Sequence, residues 1–291
     1  MEGDKEKTMS THTDHYYLPD PSYWPIVGSL ALLCLALGAT LAIHGLDGGG
    51  FLLGVGAAIL AVMLIGWFGR VIGESESGLH NNQVERSFRW GMSWFIFSEV
   101  MFFAAFFGAL FYARNFAVPW LASGDSNQLL WPGYTGGWPT AGPGLKVHFT
   151  PMAAWGIPAI NTLILLSSGG TVTWAHWAIK FGNRTMLKLG LLFTICLGIS
   201  FLTLQAHEYV EAYQHLGLTL GAGIYGATFF ILTGFHGLHV TIGTLMLIVI
   251  LGRCMAGHFN TENHFGFEAV SWYWHFVDVV WLMLFVFVYW L

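Results

Sequence analysis

A single glutamate stands in the run FIFSEVMFFAAFF at 95–107, where every other residue is apolar or a small hydroxyl. Glu99 there suits one of two chemistries. As a neutral acid it ties its own helix to a neighbour through a hydrogen bond. As an exchangeable acid it marks a proton or ligand pathway through a membrane. Its helical neighbours at i±3, i±4 and i±7 are Met92, Phe95, Ile96, Phe102, Phe103 and Phe106. So dry a setting favours the uncharged form.

Two further sets have spacing that matters. Glu268, Ser271, His275 and Asp278 fall at i, i+3, i+7 and i+10, on one face of a helix. Thr233, His236 and His239 share a face of another, and Gly234, Gly237 and Gly243 permit close approach. The pattern predicts that these two helices pack together through the polar groups. His236 and His239 at i, i+3 have the reach to hold one ion. No HExxH, no CxxCH and no carboxylate at ligand spacing accompanies them, so helix-to-helix hydrogen bonding is the expectation and a metal site is not. A third group flanks the apolar runs: Arg70, Glu74 and His80, then Arg253, His258 and His264. Cations and imidazoles suit a lipid phosphate, though Arg70 alone reads equally well as an ordinary positive flank. Gln205, His207, Glu208, Tyr209 and Glu211 read as a solvated, interfacial helix end. Asn161, Thr162, Ser167, Ser168, Thr171 and Thr173 share another run, whose Ser and Thr read as groups that bond their own backbone or a neighbour.

The elements that must carry these residues follow from composition. Of 291 residues 55% are hydrophobic and 9% charged, with a mean hydropathy of +0.60. A soluble domain carries about 25% charge. This is the composition of an all-α integral membrane protein. The net charge of -5 rests on few groups, and no basic patch points to nucleic acid. Seven apolar runs of spanning length occur at about 24–44, 51–72, 89–114, 152–178, 186–210, 222–252 and 267–290. Residues 1–22 form a polar tail without a signal-peptide core, and 23–291 form one seven-helix domain. The connection at 115–151 is rich in Gly, Pro and Trp and nearly free of charge, suiting an interface or a partner's surface. With the N-terminus inside, nine of the eleven Lys and Arg residues lie inside, and only Arg114 and Lys146 outside. The bias predicts N-in, C-out. Glu99, ten residues beyond Arg89, then lies about 15 Å deep, where an ionised group costs about 2.5–3.5 kcal/mol. Cys34, Cys196 and Cys254 sit apart in apolar contexts and read as small buried hydrophobes.

The run HFGFEAVSWYWHFVDVVWLMLFVFVYWL at 264–291 resembles the end of subunit III of the aa3-type haem–copper cytochrome c oxidases. So do GIYGATFFILTGFHGLHVTIGT at 223–244, FRWGMSWFIFSEVMFFAAFF at 88–107, TVTWAHWAI at 171–179 and LQAHEY at 204–209. Order and spacing match from DPSYWPIVGS at 20–29 to the end. The resemblance implies seven helices, the first two splayed from the other five around a lipid-holding cleft. It implies no haem and no copper on this chain, with both in partner subunits. It implies a supportive role: packing on subunit I in a complex that includes subunit II, holding phospholipid, and sustaining proton uptake while electrons pass from cytochrome c to O2 with proton pumping. By the same resemblance Glu99 is the acid beside the cleft. Glu74, His80, Arg253 and His264 contact lipid head groups, and His236, His239, Glu268, His275 and Asp278 are buried structural groups.

The chain departs from the mitochondrial pattern at GRVIGE, 69–74, at NHFGFE, 263–268, and at Ala256, so its head-group contacts differ. The long 115–151 connection and a tail without a presequence favour a bacterial inner membrane over a mitochondrial one. Two alternatives stay open. One is the third subunit of a quinol oxidase. The other is a stand-alone transporter or proton channel using Glu99, His236 and Asp278, for which neither inverted repeats nor broken helices are seen.

Overall fold

The computed structural model describes residues 17–291. The first sixteen residues, with most of the predicted tail and with Lys5 and Lys7 of the charge count, lie outside the described residues. Seven long helices account for most of the rest, and among the described residues there is no strand. Helix α1 is Trp24–Ile43, with Pro25 in its first turn, and α2 is Gly49–Glu76. Helix α3 is Asn82–Tyr112. It opens where the Asn81 side chain accepts from the Gln83 and Val84 N–H groups at 3.1 and 3.0 Å, which satisfies donors a helix start leaves unpaired. It runs on through a π-helical turn, Ala113–Ala117, to Leu121. Helix α4 is Ile157–Lys180. Helix α5 is Arg184–Gln214, capped by Asn183. Helix α6 is Gly223–Ala256, ended by Gly257 at φ +85°, a left-handed position that favours glycine. Helix α7 is Phe265–Leu284 and continues as a π-helical stretch, Phe285–Trp290.

Six of these are long and apolar enough to cross a membrane: α1, α2, α3 continued to Leu121, α5, α6, and α7 continued to Trp290. Helix α4 has the length, roughly 36 Å for its 24 residues. Its Asn161, serines, threonines and His176 make it more polar. The sequence expectation began this run at 152; it begins at 157, because Gly156 and Pro158 set the first turn. Apolar side chains such as Leu163, Leu245 and Val249 point outward from the helices. An aqueous surface would not tolerate that density of them, and a lipid surface requires it. Of the three free cysteines only Cys254 is buried; Cys196 is exposed, contrary to expectation.

The chain divides into two compact units, the first ending at Phe88 and the second running from Arg89 to Leu291. In the first, α1 and α2 pair through small residues. A Cβ on Gly56 would sit 2.8 Å from the Leu35 backbone nitrogen, and one on Gly49 2.6 Å from that of Ala42. Backbones this close gain van der Waals contact, the main attraction between helices in lipid.

In the second unit α4 packs on α5, α5 on α6, and α7 on both α4 and α6. Helix α3 meets α6 and α7 through side chains, as in Phe102 on Phe235 and Phe103 on Phe276. The 115–151 connection is tied down on the α5–α6 turn. Thr150 N–H donates to Leu216 O at 2.9 Å, and Ile224 and Tyr225 N–H donate to Ala141 and Thr140 carbonyls at 3.3 Å.

Candidate functional site

Glu99 reaches across from α3 to α6, and its Oε2 lies 2.9 Å from Nε2 of His239. The other ring nitrogen, Nδ1, is 2.6 Å from the carbonyl oxygen of Phe235, one turn back on α6. A carbonyl only accepts, so Nδ1 carries a proton and donates. The Nε2–Oε2 contact then needs one proton of its own, held either on the acid or on the ring. The pair is therefore neutral as a unit in both arrangements. Phe103 and Phe276 rings close around the imidazole at 5.1 and 6.2 Å, and Tyr273 stacks on it at 6.3 Å. The side chains are 23% and 11% exposed, so the bond is shielded but not sealed. Helical spacing around Glu99 shows its aromatic neighbours but not its partner, which lies 140 residues away in the chain.

Of the predicted polar face of α7, Glu268, His275 and Asp278 turn to helices other than α6 or to each other. Glu268 pairs with Arg89 at 3.1 Å through both Nε and an Nη nitrogen, and Arg89 also lies over the Phe265 ring at 5.5 Å. His275 and Asp278 point to α4. His275 Nε2 is 3.3 Å from Thr173 Oγ1, while Nδ1 is 3.7 Å from Asp278 Oδ2. Helices α6 and α7 do pack together, but through rings: His236 against Trp281 at 5.2 Å and His239 against Tyr273. The reason is angular. Residues at i and i+7 share a face, but which neighbour that face meets is set by the bundle, and α7 lies between α4 and α6. His236 is fully buried, and neither ring nitrogen has a hydrogen-bond partner among the described residues. Ser271 is buried. Because Arg89 and Glu268 keep 36% and 19% exposure, Arg89→Ala is expected to lower stability by only about 0.5–1 kcal/mol. Thermal unfolding of the variant measures it; a loss near 3 kcal/mol would place the pair among buried ones.

One buried acid was not foreseen. Glu208, read as solvated, is 0% exposed, with Gln205 beside it at 5%. Its Oε1 accepts from Tyr289 O–H at 2.6 Å, joining α5 to the end of α7. Tyr209 and Thr233 hydroxyls meet at 2.7 Å nearby. The buried positions of α5 include 187, 191, 194, 198, 201, 205, 208 and 212, a stride of three and four that carries Glu208 inward. That stride was the available signal. The hydroxyls of α4 do what was expected of them: Thr162 and Thr173 bond their own backbone, and Thr171 meets Thr194 of α5 at 2.7 Å.

The head-group candidates fall in both units. In the first, Arg70 is 3.2 Å from Glu74 and 3.6 Å from Asp20. His80 lies against Tyr17 and Phe88 rings at 6.0 and 5.0 Å. Burial holds the His80 imidazole below its ordinary range, against the opposite pull of Glu74 and Glu85. In the second, Arg253 lies 4.4 Å over the Phe259 ring, and His264 packs on His176 at 6.0 Å. Among the described residues no three His, Cys, Asp or Glu side chains converge as metal ligands would.

Residues 14–291 match the family model described as cytochrome c oxidase subunit III. Among curated relatives, the chain is 44% identical over 284 residues to "Cytochrome c oxidase subunit 3" of Marchantia polymorpha, covering 97% of this chain and 98% of that one. It is 44% identical to the protein of that name from Drosophila melanogaster, covering 97% and 99%. It is 41% identical to that of Equus caballus over 282 residues, covering 96% and 98%.

Proposed function

The chain belongs to the cytochrome c oxidase subunit III family, and from that premise we propose how this accessory subunit of an oxidase complex is placed and used. It crosses the membrane seven times, N-terminus inside, with α4 as the seventh span. The Lys and Arg bias supports this orientation, and α4's hydroxyls and indole partners make it tolerable in lipid. It packs on subunit I, with subunit II in the same complex, while electrons pass from cytochrome c to O2. It carries no haem or copper of its own and holds the catalytic subunit steady. The observation that carries the reading is the match to the family over nearly the whole chain.

Phospholipid is its bound cofactor in all but name. Arg70 beside Glu74 and Asp20 offers both a donor and acceptors, which suits a head group carrying both charges. Arg253 and His264 supply donors in the second unit. The host membrane is a bacterial inner membrane, supported by the length of the 115–151 connection.

The test is purification of the tagged chain in mild detergent, with an optical spectrum and a partner inventory. Haem absorbance with two larger subunits, the second bearing copper, is the expected result. A haem-containing complex whose second subunit lacks copper would make quinol the donor. A colourless, solitary chain under conditions that keep other respiratory complexes whole would overturn the oxidase reading and leave a stand-alone transporter.

A further inference from the structure

A groove of about 500 Å³ opens between α4 and α7, floored by Gly169 and Gly170 and walled by Thr173, His275, Asp278 and Val279. One of its buried polar groups is not satisfied. Asp278 has a side chain only 9% exposed, and its Oδ1 has no hydrogen-bond partner among the described residues. Gly169 makes that placement possible, since a Cβ there would collide with Asp278 Oδ2.

The neighbouring imidazole does not complete the set. Thr173 donates its hydroxyl proton to the Gly169 carbonyl at 2.8 Å. Towards His275 Nε2 it therefore accepts, and Nε2 carries the proton. On a neutral ring Nδ1 is then a bare acceptor, 3.7 Å from Asp278 Oδ2 and beyond hydrogen-bond reach. Asp278 Oδ1 is thus left without a donor among the described residues, and Asp278 Oδ2 and His275 Nδ1 stand too far apart to satisfy each other.

The place excludes the easy remedies. Asp278 lies thirteen residues into the Phe265–Trp290 stretch, about 20 Å along it, at the middle of a span. Val279 at the lip is 59% exposed and faces lipid depth. Acyl chains bring no donor, and polar groups at that depth face protein. We propose that the α4–α7 groove is a docking site for a membrane-spanning helix of a neighbouring oxidase subunit, which inserts an N–H or O–H side chain between Asp278 and His275. The inference rests on the oxidase reading, and it assigns a surface that the reading alone does not.

A benzophenone amino acid placed at Val279, in the whole complex in its native membrane, tests it directly. The same probe at Leu238, exposed on α6, is the control. Illumination is expected to link Val279, and not Leu238, to a membrane-spanning peptide of another oxidase subunit with a donor side chain within one turn. Adducts with lipid alone, no adduct, or a peptide without a donor would each overturn the groove assignment. A second arm uses Val279→Trp, which fills the groove from its exposed lip. About tenfold greater loss of this chain from the complex on detergent washing is expected; retention equal to wild type would count against the proposal. The two readings fail separately. If the unmodified chain never co-purifies with haem-bearing subunits, the oxidase reading falls. If it does co-purify and Val279 captures only lipid, the groove inference falls alone.

Discussion

Replacing Trp274 with alanine is expected to destabilise the second unit by about 3–5 kcal/mol, the range for emptying the site of a large buried aromatic. The ring is 0% exposed, and three helices are shaped to it. On α4, Ser168 Oγ accepts the indole N–H at 2.9 Å. On α5, a Cβ at Gly198 would stand 2.8 Å from the ring, and on α6 one at Gly243 would stand 2.9 Å from it. The indole from α7 thus occupies space that two glycines leave open, and no smaller side chain restores those contacts. Trp274→Phe keeps much of the volume but loses the N–H, so a smaller cost of about 1–2 kcal/mol is expected. Gly198→Val should cost about 1–3 kcal/mol from the other direction, because the ring has nowhere to retreat. Thermal unfolding of the purified complex, followed by circular dichroism, ranks the three. If Trp274→Ala melts within about 1 kcal/mol of wild type, well short of the range for an emptied core site, the ring is not what joins α4, α5 and α6.

The long helices were legible because a bilayer asks for about 20 apolar residues at a time, and six of the seven runs are plain by that rule alone. Their ends were less so. Helix α3 runs past its expected stop at 114 to Leu121 through a π-helical turn, where no Gly or Pro interrupts it before Pro119. The polar residues were legible as residues and not as pairs. Helical period shows that Glu268, His275 and Asp278 share a face, yet it is silent on whether that face meets α3, α4 or α6. In the event it meets two of them, since Glu268 turns to Arg89 of α3 and His275 to Thr173 of α4. Glu208 lies near a helix end, where solvation is the usual outcome, but the three-four stride of the buried face of α5 carries it inward. Role came from resemblance over long stretches, since the spacing of these polar groups matches no catalytic motif.

The Glu99–His239 contact yields the second large effect. His239→Leu is expected to cost about 2–3 kcal/mol, because it leaves a three-quarters-buried acid without its partner. Glu99→Gln is expected to be nearly silent in stability and to leave assembly intact. The amide N–H of glutamine can donate to Nε2 while Nδ1–H still donates to the Phe235 carbonyl, so the tie survives with a neutral ring. Glu99→Leu removes the partner of His239 Nε2 and should cost about 1–2 kcal/mol. The double variant Glu99→Leu, His239→Leu should recover part of the sum of the two single losses, with a coupling of about 1 kcal/mol in a double-mutant cycle. The same geometry makes a claim about protons that stability alone does not test. Nitrogen NMR of the labelled imidazole should report Nδ1 protonated in the wild type and in Glu99→Gln alike, since the backbone carbonyl is present in both. Only Nε2 should respond to the exchange of acid for amide. If Nδ1 instead loses its proton in Glu99→Gln, the carbonyl does not fix the tautomer, and the acid orders the ring rather than the ring the acid. If Glu99→Gln costs as much as His239→Leu, the tie depends on the carboxyl itself. The exchangeable-acid reading of Glu99 would then gain on the anchor.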